Sequence, residues 1–264
     1  MKQTHVVLIH GAWFHMSSLQ GWAQRFASHG FAVRIPGWPG ESDTAAQARF
    51  AEGTFEDLGL AALSSHYEKI VLSYDNPPVL IGHSAGGLIA QQLLGAGLGC
   101  AAVAVAPLPV DGVPLSDASF QPGAGHLESG QLSRADFRDV VANAVGETEA
   151  EQLFERYAAP APLGLLADLG FARLDIGSVG TIVNTANPAR GPLLLISGQE
   201  DRMVSDAVTR SVYKLYGDSP AVTDLKQFAD RGHSLVFDSG WRSVADHVLT
   251  WLAANGIAAM TTAD

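Results

Sequence analysis

The 264-residue sequence has one cysteine, Cys100. A single thiol excludes an intramolecular disulfide and any multi-thiolate metal site. Basic residues are also scarce: 16 Lys and Arg face 27 Asp and Glu, for a net charge of −11. A nucleic-acid or anionic-membrane binder needs a basic face, so neither partner is expected. No apolar run approaches the roughly 18 residues a membrane helix requires. The start, Met1-Lys2-Gln3-Thr4-His5 before Val6 to Ile9, carries too short an apolar run for a signal peptide. A soluble, cytoplasmic protein is the expectation. Charged residues make up only 16% and apolar ones 47%, which excludes a disordered chain. The 28 glycines and 13 prolines indicate many turns and argue against a helical bundle.

Short β-branched or apolar runs alternate with helical patterns. Val6 to Ile9, Phe31 to Ile35, Val79 to Ile81, Ala101 to Ala106, Pro192 to Ser197 and the more polar Thr223 to Phe228 are the predicted strands. Between them the periodicity predicts helices over Ser17–Ser28, Phe55–Val71, Ala85–Leu94, Thr209–Tyr216 and Val244–Ala254, with Thr54 and Asp57 at capping-box-like spacing. The central strands are solid apolar runs, the mark of a mostly parallel sheet buried on both faces by helices. From Val110 to Arg190 no buried strand appears. Helices are predicted instead over Arg134–Val145, begun by Ser133, over Thr148–Ala158 and over Leu163–Phe171. The expected organisation is an α/β core of residues 1–110 and 191–264, with residues 111–190 a helical cap.

Gly82-His83-Ser84-Ala85-Gly86-Gly87 directly follows Val79-Leu80-Ile81 and precedes a helix. This is G-x-S-x-G in strand–turn–helix context, which points to a nucleophile elbow. A sharp turn lifts the serine above the carboxyl edge of the sheet, and glycine two residues before and two after removes side chains that would collide. The helix N-terminus that follows favours developing negative charge.

With this elbow, the chain resembles the α/β-hydrolase superfamily. Val-Val-Leu-Ile-His10-Gly11-Ala12-Trp13 is similar to that family's oxyanion loop. Ser197-Gly198-Gln199-Glu200-Asp201 is similar to its acid turn, and Arg231-Gly232-His233-Ser234 to its histidine loop. The four motifs stand in the family's order, although the chain opens at the oxyanion-loop strand and the family's first two strands are missing. The resemblance implies a catalytic triad of Ser84, Asp201 and His233. A serine hydroxyl is a weak nucleophile and needs a base, and the base needs a carboxylate to fix its tautomer. Glu200, Asp206 and Asp111 are rival acids. The backbone N–H groups of Ala12 and Ala85 would form the oxyanion hole. Trp13, Phe14 and His83 are candidates for the substrate pocket, with ordinary packing as the alternative for the two aromatics.

Other signals carry less. Gly95-Ala96-Gly97-Leu98-Gly99 precedes a strand and opens no helix, the reverse of a dinucleotide loop. No histidine pair has HExxH spacing, so neither a metal nor a cofactor is expected. The implied reaction is cleavage of a carboxylic ester, lactone or related acyl bond in a small to medium apolar substrate. Similar proteins use the fold as cofactor-free lyases, perhydrolases, carbon–carbon hydrolases or dioxygenases, or as small-molecule receptors. The related lyases carry lysine after the catalytic histidine, where Ser234 stands here.

Overall fold

A computed structural model describes residues 3–50, 58–115, 130–169 and 180–259. Six strands form one sheet: β1 (His5–Ile9), β2 (Ala32–Arg34), β3 (Val79–His83), β4 (Ala101–Val105), β5 (Leu193–Gly198) and β6 (Thr223–Phe228), in the order β2-β1-β3-β4-β5-β6. Every neighbouring pair is parallel. The register stacks Leu8 beside Ile81, Ile81 beside Val103, and Val103 beside Leu194. The four central strands are almost wholly buried, as their unbroken apolar runs require, while edge strands β2 and β6 are only partly covered.

Around the sheet lie α1 (Gln20–Ser28), α2 (Ala45–Phe50), α3 (Leu60–Leu72) and α4 (Ala85–Gly95). Further along the chain come α5 (Arg134–Asp136), α6 (Glu147–Tyr157), α7 (Leu163–Asp168), α8 (Asp206–Leu215) and α9 (Trp241–Ala254). Trp22 and Phe26 of α1 are fully buried, and the Trp22 indole N–H donates to the Val236 carbonyl at 2.8 Å. This bond ties the first helix to the chain just beyond His233.

Three details differ from the sequence expectation. Helix α3 begins at Leu60, and its first N–H donates to the Asp168 carboxylate at 2.8 Å, so a residue of α7 serves as its cap. The expected capping pair Thr54 and Asp57 lies outside the described residues. The helix expected over Arg134–Val145 is α-helical only to Asp136. Ser133 accepts from the Asp136 N–H as foreseen. Phe137–Val141 then forms a π-helical turn, in which the Ala142 N–H reaches back to the Phe137 carbonyl at 2.9 Å. Finally, α2 forms where no helix was expected. Among the described residues no helix is long and apolar enough to cross a membrane.

Candidate active site

Three non-glycine residues among those described have positive φ: Trp13 at 65°, Ser84 at 55° and Ala106 at 44°. Each stands just past the carboxyl end of a central strand, β1, β3 and β4 respectively. Such strained backbone persists only where the surroundings enforce it, and it collects at functional sites. At Ser84 the enforcement is visible. Its N–H donates to the Val105 carbonyl at 2.9 Å, and its own carbonyl accepts from Gly87, Leu88 and Leu108. The glycines around it leave no space for a side chain. A Cβ at Gly82 would lie 2.6 Å from the Gly87 nitrogen, and one at Gly11 2.7 Å from the Ser84 Cβ. The turn expected from G-x-S-x-G is therefore present, with α4 opening at Ala85.

The carboxylate and the imidazole come from the other half of the sheet. Asp201 follows β5 by a short turn, and His233 lies between β6 and α9. Nδ1 of His233 and Oδ2 of Asp201 are 2.8 Å apart, and both side chains are completely buried. The other Asp201 oxygen accepts the Met203 and Val204 N–H groups at 2.8 and 2.9 Å. The carboxylate is thus held at both oxygens and aimed at one ring nitrogen. The opposite nitrogen, His233 Nε2, is buried and hydrogen-bonds no described residue, the Ser84 hydroxyl included.

The rival acids are placed elsewhere. Asp206 accepts from Ser197 and Gln227 and pairs with Arg210. Asp111 and Glu200 are exposed.

His83, expected in the substrate pocket, has a backbone partner. Its Nε2–H donates to the His233 carbonyl at 2.9 Å, and the two imidazoles lie 4.7 Å apart. That bond brings the histidine loop against the residue preceding Ser84. Phe14 sits over both rings, at 5.4 Å from His83 and 5.9 Å from His233. Phe237 and Phe137 pack on Phe14, and Tyr157 packs on Phe237. Trp13 is buried beside them in the chain. Phe137, Tyr157 and Phe237 carry no local sequence signal; only the fold gathers them.

Burial, joined by the neighbouring His233, holds the His83 pKa well below the ordinary 6.5. The folded state keeps His83 neutral, whereas the unfolded chain takes up a proton near 6.5. The contribution to stability is thus complete above that pH and is lost as pH falls toward the folded value. We expect the melting temperature to drop between about pH 6.5 and 5, and the drop to be shallower in His83→Asn. Thermal denaturation across that range checks this. Parallel curves for the two proteins would exclude His83 as the source.

Glu41 lies beneath the loop after β1, another residue the sequence did not flag. Its carboxylate accepts the Met16 and Trp38 N–H groups, each at 3.0 Å, and lies 3.4 Å from His10 Nε2 and 3.8 Å from His15 Nε2. Burial works to raise its pKa. Contact with His10, the Met16 N–H and His15 together outweigh it, leaving the group below its ordinary 4.5. His10 in turn stacks on Trp38 at 4.3 Å. The loop carrying Gly11 and Ala12 is thereby anchored from below. Among the described residues no group of three His, Cys, Asp or Glu could hold a metal ion.

A serine forced to positive φ at a strand–helix turn, whose preceding residue bonds the histidine of a buried Asp–His pair on a parallel sheet, fits the architecture of an α/β-hydrolase. The model of the alpha/beta hydrolase family matches residues 6–247, and the chain belongs to that family. Solved structures agree on the fold. The methylesterase MES16 from Arabidopsis is 14% identical, with a TM-score of 0.64 over 95% of this chain and 99% of its own. The monoacylglycerol lipase of Paleococcus ferrophilus is 17% identical, with a TM-score of 0.67 over 95% and 94%. Polyneuridine aldehyde esterase is 16% identical, with a TM-score of 0.65 over 95% and 99%. No curated protein matches the sequence.

Proposed function

We propose that this chain is a serine hydrolase that cleaves a carboxylic ester, lactone or related acyl bond through an acyl-enzyme. The observation that carries the reading is the buried 2.8 Å contact between His233 Nδ1 and Asp201, with Nε2 left unbonded on the side chain's other edge. In the first half-reaction Ser84 Oγ attacks the acyl carbon while its proton passes to His233 Nε2. Asp201 keeps the Nδ1–H tautomer and stabilises the imidazolium. The carbonyl oxygen, now negative, is held by the N–H groups of Ala12 and Ala85. Each such donor is worth about 2.7–4 kcal/mol in the transition state. Collapse breaks the bond to the alcohol, which leaves with the His233 proton. Water then repeats the sequence and releases the acid.

The rings of Phe14 and Phe237 against the imidazoles, with Phe137 and Tyr157 packed on them, favour a small to medium apolar acyl group. Residues 111–190 serve as a helical cap, from which Phe137 and Tyr157 come. Proteins of the same fold named as a methylesterase, a monoacylglycerol lipase and polyneuridine aldehyde esterase support ester chemistry. The test is turnover of p-nitrophenyl acetate and butyrate by the wild-type chain and by Ser84→Ala. Product analysis on cyanohydrins run beside the esters separates hydrolysis from lyase chemistry. Cleavage of cyanohydrins with no ester turnover would overturn the proposal.

A further inference from the structure

Among the described residues, a short stretch of the insert bonds the loops that carry the candidate relay. In the π-helical turn Phe137–Val141, the wider winding ends the helix and leaves the Val141 carbonyl to accept the Ser234 N–H at 3.0 Å. Two residues on, the Asn143 side-chain N–H donates to the Glu200 carbonyl at 2.7 Å. Ser234 directly follows His233, and Glu200 directly precedes Asp201. The two bonds therefore grip the relay pair from both sides. Packing there is close: a Cβ at Gly232 would lie 2.8 Å from Asn143 Oδ1. The acid turn and the histidine loop also join each other, through the Glu200 N–H to the Arg231 carbonyl at 3.0 Å.

The stretch that ends helix α6 is equally committed. The His15 N–H donates to the Tyr157 carbonyl at 2.9 Å, the Ala159 N–H to the Trp13 carbonyl at 3.0 Å, and Phe14 bridges Ala158. Residues 137–159 are thus bonded to the loop after β1 and to both loops that carry the relay. A hinged lid would have to break all of these bonds to open.

We propose that Asn143 is a positioning residue for the Asp201–His233 pair, and that residues 137–159 act as a fixed clasp across the candidate site. The proposal deepens the serine-hydrolase reading and rests on it for its kinetic readout alone. Asn143 touches no reacting atom. It acts by holding the backbone next to Asp201, so that the carboxylate meets Nδ1 at the observed distance. A loosened acid turn lets the imidazole rotate and misaligns Nε2. Displacements of about 1 Å in such groups cost up to about 100-fold in rate.

The experiment compares wild type with Asn143→Ala and Asn143→Asp, the second keeping the size and removing the donor. The first readout is the far-downfield proton NMR resonance of the His233 Nδ1–H, identified by its loss in Asp201→Asn. The expected result is a resonance broadened by exchange in both Asn143 variants. With it, kcat for p-nitrophenyl butyrate falls about 10- to 100-fold while KM changes little. A resonance as sharp as in wild type in a folded Asn143 variant overturns the proposal, whatever happens to kcat. If Asn143→Ala does not fold, Asn143→Asp decides alone. Ester turnover that survives in Ser84→Ala would remove the serine mechanism and leave the resonance result to stand.

Discussion

Replacing Ser84 by alanine is expected to lower kcat for p-nitrophenyl esters by about 10⁶-fold, equivalent to about 8 kcal/mol of barrier. His233→Ala should match it, because the proposed nucleophile and base would act as a unit, so that losing either removes both. Asp201→Asn is expected to cost less, about 10⁴-fold. An amide can still accept the Met203 and Val204 N–H groups that now hold one carboxylate oxygen. What it lacks is the second anionic oxygen that meets His233 Nδ1 at 2.8 Å. The loss is thus of tautomer control rather than of the turn. Stability should move in the opposite sense at the elbow. Ser84 is held at φ 55° and ψ −118°, a region glycine enters without steric cost. Ser84→Gly is therefore expected to be inactive and more stable, by about 1–3 kcal/mol less glycine's own entropic cost of roughly 1 kcal/mol. Steady-state kinetics and denaturant titration on the same preparations check both. Unchanged turnover in Ser84→Ala would end the serine mechanism.

What could be foreseen in this chain follows from how far apart the interacting residues lie. Val79-Leu80-Ile81 announces a strand buried on both faces from its own composition, and Gly82 to Gly87 announces the turn from its own spacing. The acid turn and the histidine loop are likewise self-contained strings, so Asp201 and His233 could be singled out before their meeting was visible. The partners that shape the rest are remote. The cap of α3 comes from Asp168, 108 residues beyond Leu60. Asn143 finds its acceptor 57 residues away. A π-helical turn is equally invisible in a periodicity tuned to 3.6 residues: Arg134 to Val145 carries a helical pattern, yet tertiary bonds to Ser234 and Glu200 override it. Glu41 sits in a Pro/Gly-rich stretch that looks like ordinary loop, and only folding buries its carboxylate between two imidazoles. Membership of the elbow motif makes His83 a pocket candidate, while nothing in the local string announces its bond to the His233 carbonyl.

Gly86→Ala is expected to prevent folding or to destabilise the chain by about 4 kcal/mol or more. A Cβ at this position would lie 2.7 Å from the His10 carbonyl oxygen and closer still to that of Ile9. Both obstacles are backbone at the end of β1, a strand bonded on each side to β2 and β3. No flexible side chain can swing aside, so either β1 or α4 must move. Movement of α4 would shift the Ala85 N–H, and movement of β1 would shift the Gly11–Ala12 loop. Any form that folds should therefore also lose the alignment of the two proposed oxyanion donors with each other. Gly97→Ala is the control. Gly97 has φ of +81°, but nothing lies within 4 Å of its absent Cβ. It should cost only the backbone strain, about 1–2 kcal/mol, and leave ester turnover intact. Urea midpoints and the soluble yield of the two variants compare steric exclusion with strain directly. A Gly86→Ala protein with the midpoint of wild type would mean that α4 is not pressed against β1, and that the elbow owes its shape to something other than this contact.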